Sequence, residues 1–73
     1  MERKEKIELV NKLIDQLIEF DAWGISEGRW QKSERPWQDL IYGDTKIDIE
    51  DRNQVERLTD NELDKIIWTF GLD

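Results

Sequence analysis

An α+β fold follows from three features of this 73-residue sequence. The first is an apolar stripe of helical period near the N-terminus. The second is a period-two run beside Gly43-Asp44, and the third is a capped amphipathic segment ending at Gly71. Together they predict a small single domain over residues 1–73, made of a long N-terminal helix, a Trp-rich loop, a β-hairpin and a C-terminal helix.

The first helix is expected over residues 4–22. Ile7, Val10, Ile14 and Leu17 recur at spacings of three and four, and Leu13, Ile18 and Phe20 widen the face they form. Gly24 is the expected stop, because glycine tolerates the left-handed conformation that ends helices. A stripe this broad has two destinations, the domain's own core or a two-fold seam with a second copy. Ile7, Val10, Ile14 and Leu17 are therefore the expected dimer-interface residues of a homodimer.

Residues 24–37 have no period and contain Gly24, Gly28, Trp30, Ser33, Pro36 and Trp37. Unstructured loops of that length are uncommon in compact domains, so this one is expected to lie on the core or to be functional. Residues 38–50 suggest a hairpin, with Gln38–Tyr42 and Thr45–Glu50 flanking a two-residue Gly43-Asp44 turn. Thr45, Ile47 and Ile49 alternate with Lys46, Asp48 and Glu50. A rival reading makes Pro36–Tyr42 a short helix, with the proline in its first turn and Gly43 ending it. Residues 59–70 carry the strongest signal. Thr59 and Glu62 form a capping box, Leu58 and Leu63 form a staple, and Leu63, Ile66, Ile67 and Phe70 share a face that Gly71 closes. A short helical piece at Gln54–Leu58 is expected before it.

Composition excludes several function classes. The chain has no Cys and no His, so it has neither a disulfide nor the usual zinc ligands. No stretch approaches the length of a membrane span, and Met1–Lys6 carries mixed charge with no apolar run behind it, so no signal peptide is expected. Ser26 and Ser33 have no His to act as base, so no enzyme is expected. Asp44, Asp48, Glu50 and Asp51 are oxygen donors in a short stretch, but the calcium-loop pattern fails from either starting Asp. No glycine-rich phosphate loop is present, and no cofactor is expected.

What remains is charge and indole. Eighteen Asp and Glu against eleven Lys and Arg leave a net charge of −7, which opposes direct nucleic-acid binding. The imbalance is concentrated late: residues 44–73 hold nine acids and four bases. On a strand Asp48 and Glu50 would point the same way about 6.8 Å apart, from a rise of about 3.4 Å per residue. That spacing is comparable with the phosphates of one nucleic-acid strand. Asp44, Asp48, Glu50 and Asp51 are thus the expected partner-binding carboxylates, with Trp30 or Trp37 as an apolar anchor beside them. Trp68 lies off the apolar face of the last helix and Trp23 sits at a helix end, so not all four indoles are expected in the core.

Gln16-Leu17-Ile18-Glu19-Phe20 resembles the bacterial sliding-clamp-binding pentapeptide at Gln16, Leu17 and Phe20, although it falls within the expected first helix. Taken whole, a short, Cys-free, acidic, Trp-rich domain resembles the small bacteriophage host-takeover inhibitors, several of which mimic DNA. That resemblance is one of size, charge and composition. It implies a partner in the bacterial cytoplasm that is a basic DNA-binding host protein, of the class of HU, the sliding clamp, RNA polymerase or a nuclease. The alternative is a small non-enzymatic phage or prophage adaptor or structural protein whose acidity serves only solubility.

Overall fold

The computed structural model describes residues 1–43 and 45–72, with Tyr42 described in its main chain only. Helix α1 spans Arg3–Ser26, followed by a single 3-10 turn at Lys32–Glu34. Strands β1 (Asp39–Tyr42) and β2 (Thr45–Asp48) form an antiparallel hairpin, and helices α2 (Asn53–Glu56) and α3 (Asp60–Phe70) complete the chain. The expected α+β architecture is the observed one.

The α1 stripe packs on its own domain. Val10, Leu13, Ile14 and Leu17 form one cluster with Leu40, Ile47, Ile49, Val55, Leu58, Leu63, Ile66 and Ile67, and Ile7 lies half-buried against it. Val10, Ile14 and Leu17, three of the residues expected at a dimer seam, are buried within the single chain, where α1 packs on α3 and α2. The physical reason is economy of core. A domain this small has too few apolar residues to leave its longest stripe uncovered.

The N-terminal turns of α1 and α3 lie together. Arg3 donates to Asp60 Oδ1 at 2.8 Å and to the Glu56 carbonyl at 2.7 Å, and Lys6 Nζ sits 2.9 Å from Asp64 Oδ1. The Arg3 guanidinium holds the Asp60 carboxyl below its ordinary range. Exposed pairs of this kind contribute little singly, so the apolar contact between the helices is the main attraction.

Residues 36–42 are not helical: the hairpin forms instead of the rival helix. Leu40 pairs with Ile47 on the buried face, while Ile41 pairs with Lys46 on the outer one. Gly43 takes φ 55°, the positive value that tight hairpin turns require and side chains resist. β2 ends at Asp48, earlier than the alternation suggested, because Ile49 and Glu50 enter a turn that buries Ile49. Asp48 accepts from the Glu50 amide at 2.9 Å, and its own amide donates to Gln54 Oε1 at 2.9 Å, which leads the chain into α2.

α3 has both predicted ends. The Glu62 amide donates to Thr59 Oγ1 at 3.2 Å, and the Thr59 amide donates to Glu62 Oε1 at 3.0 Å. The Thr59 amide, and after it the Thr59 side chain, favour the Glu62 carboxylate and hold its carboxyl below the usual range. Gly71 at φ 63° closes the helix, with the Leu72 amide donating to the Ile67 carbonyl at 3.0 Å and the Gly71 amide to the Trp68 carbonyl at 3.3 Å. Among the described residues no helix is long and apolar enough to cross a membrane.

Replacing Thr59 with Ala should lower stability by about 1 kcal/mol, the usual loss for a helix cap. Thermal unfolding checks this, and an unchanged melting curve would mean that the box does not hold the helix start.

Candidate protein-interaction surface

α1 continues past the expected stop. Gly24 is buried inside the helix, and a Cβ there would fall within the ring of Trp30. The glycine therefore serves as a socket rather than a terminator. Gly28, at φ 72°, stands just beyond the helix end and turns the chain back. The Arg29 amide then donates to the Gly24 carbonyl at 2.8 Å.

Asp21 fastens the returning loop. It occupies the position in the buried stripe four residues after Leu17, and it is only 2% exposed. Its carbonyl accepts from Trp30 Nε1 at 3.1 Å, and its Oδ1 accepts from the Trp37 amide at 3.2 Å. Its negative charge, together with those of Glu50 and Asp48, acts on Arg35. The hydrogen bond from Arg35 to Glu50, at 2.8 Å, is the main reason that the guanidinium pKa is raised further. The Trp-rich loop is thus attached at three points: Trp30 on α1, Trp37 on Asp21, and Arg35 on the turn after β2.

This fastening assembles three rings on the last turns of α1. Phe20 and Trp23 stack with centroids 5.9 Å apart, Phe20 and Trp30 tilt at 5.4 Å, and Trp23 and Trp30 meet edge to face at 6.5 Å. Phe20 and Trp23 each remain 45% exposed. The guanidinium carbon of Arg29 lies 4.8 Å from the Trp23 ring centroid, within cation–π range. A second exposed indole, Trp68 at 85%, stands on the outer face of α3.

The predicted acidic row is not a row. With β2 ending at Asp48, Glu50 no longer shares a strand face with it. Glu50 is bonded to Arg35, Asp48 Oδ1 accepts from the Glu50 amide, and Asp51 Oδ1 accepts from the Asn53 amide at 3.2 Å. These carboxylates close turns and pairs within the chain. Asp44 lies outside the described residues. Trp37 is half-buried against the core, and Trp30 joins the ring cluster, so neither stands as a free anchor beside the acids. The pentapeptide at Gln16–Phe20 lies within α1, with Leu17 buried, rather than extended.

Sequence reasoning missed Phe20 as a surface residue and missed Asp21 altogether. The available signal was a carboxylate at a stripe position. Among the described residues no group of acids is arranged to hold a metal ion. No protein-family model, curated protein or solved structure matches this chain.

Gly24→Ala tests the socket. In an ordinary helix interior the change would stabilise by about 1 kcal/mol. Here the methyl group evicts Trp30, and overpacking of this kind costs about 1–3 kcal/mol. The melting temperature should fall and the tryptophan emission should shift, whereas a higher melting temperature would contradict the Trp30 contact.

Proposed function

We propose that this chain is a small non-enzymatic protein-binding adaptor, and that Phe20, Trp23 and Trp30 form its contact surface. The carrying observation is the exposure of Phe20 and Trp23 within a ring cluster already fixed by Trp30, Gly24 and Asp21. Ordered aromatic side chains lose little freedom on binding, and Trp and Tyr are enriched where binding energy concentrates. Isolated exposed apolar residues need no explanation, but a contiguous ring cluster at one end of a helix is a recognisable contact surface. The acidity then serves solubility and steers the encounter with a basic partner.

A second reading is favoured by the net charge of −7. In it the chain is an acidic DNA mimic that blocks the DNA-binding surface of a basic host protein in the bacterial cytoplasm. The exposed Asp48 and Glu50 at the end of the hairpin would supply part of the charge.

Capture from a bacterial lysate separates the two when three forms of the protein are compared. The adaptor reading predicts a partner retained by the wild type and by Asp48→Lys/Glu50→Lys, but lost with Phe20→Ser/Trp23→Ser. Loss on reversal of Asp48 and Glu50 together with displacement by DNA would instead establish the mimic and overturn the adaptor reading.

A further inference from the structure

The ring cluster carries information about what it binds. Arg29 already places a guanidinium over Trp23, which shows that this ring face accommodates a planar cation. Glu19 and Glu27 lie four residues before and after Trp23, one helical turn to either side on the same face. Both are exposed, and neither has an ion-pair partner among the described residues. An exposed indole between two unpaired carboxylates presents the negative face of its π-system within a negative field. Both contributions attract a cation and repel an anion. The overall charge of −7 acts in the same direction at longer range.

Resting on the adaptor reading, we propose that the Phe20/Trp23/Trp30 surface docks an arginine-bearing basic segment of a partner protein, and that the incoming guanidinium takes the place of Arg29 over Trp23. Phe20 supplies apolar contact for the segment's aliphatic stems, and Glu19 and Glu27 pair with its flanking cations. Arginine fits better than lysine, because its planar, weakly hydrated head stacks on an indole while its edge still donates to carboxylates. Arg29 is then a tethered competitor. While it covers Trp23 the site is occupied, so the apparent affinity is reduced by the fraction of molecules in which the ring is uncovered.

The test uses the full chain and a capped Gly-Arg repeat peptide as probe, titrated at low salt while the indole and amide resonances are followed by NMR. Capped Gly-Lys and Gly-Glu repeats are run in parallel. The Gly-Arg peptide should perturb the Trp23 indole and the Arg29 side chain first, and should bind more tightly than Gly-Lys. Trp23→Ala should weaken binding about fivefold to tenfold, as for loss of a partly desolvated cation–π contact. Glu19→Lys/Glu27→Lys should weaken it further at low salt than at high salt. Arg29→Ala should strengthen binding about twofold or more, a gain that damage to the fold would not produce. Shifts spread over all acidic residues without Trp23, binding of the Gly-Glu peptide, or equivalent shifts on raising the protein concentration alone would each overturn the proposal. The last outcome would identify a second copy of the chain as the occupant. The two readings fail separately. A captured partner that depends on Phe20 and Trp23, with no Gly-Arg binding, leaves the adaptor reading standing and removes arginine as its ligand.

Discussion

The path of the Trp-rich loop depends on one buried residue, Asp21, which takes the Trp37 amide on its carboxylate and the Trp30 indole on its main-chain carbonyl. Asp21 continues the apolar stripe of Val10, Leu13, Ile14 and Leu17, where a Leu or Ile would have been expected from periodicity alone. Burying a carboxylate is unfavourable unless its oxygens are bonded and its charge is opposed. Here Oδ1 takes the Trp37 amide and the charge acts on Arg35, while Oδ2 is buried without a hydrogen-bond partner among the described residues. Removing one member of such an arrangement leaves the others desolvated and unpaired, which is more costly than the arrangement itself is favourable. That asymmetry makes the loop's path specific: a slipped loop would leave a buried charge behind.

The same logic redistributes the acids. A surplus of carboxylates first suggests a surface built to meet cations outside the molecule. The structure employs several of them internally. Glu50 binds Arg35, Asp60 and Asp64 hold the start of α1, Asp15 binds Arg52, and Asp48 and Asp51 close turns. What distinguishes the surface is therefore local. Glu19 and Glu27 flank exposed rings instead of serving a turn, and the indole of Trp68 stands in solvent on α3.

Elements defined by short-range chemistry were legible in the sequence. Thr59 and Glu62 are three residues apart and need only each other, and Gly43 needs only its own turn. The hydrophobic stripe of α1 was legible as a stripe, but its destination was not, because period says which face is apolar and not what covers it. Gly24 was misread for a related reason. As a helix stop it would have depended on local backbone freedom, whereas its role is set by Trp30, six residues on and reached only through a turn at Gly28. The end of β2 was overrun because Ile49 fits the alternation, yet it is buried from within a turn. Asp21 was passed over because a lone carboxylate in a helix reads as solvated until its partners, sixteen residues away at Trp37 and further at Glu50 through Arg35, are known.

Native-state hydrogen exchange bears most directly on the claim that Asp21 fastens the Trp-rich loop. The Trp30 indole N–H and the Trp37 amide both donate to Asp21, so both should be protected well above the amides of neighbouring loop residues. In Asp21→Ala the Trp37 amide should lose that protection while the α3 amides keep theirs. Exchange of both groups at the rate of an unstructured chain in the wild type, with α1 still protected, would contradict the account.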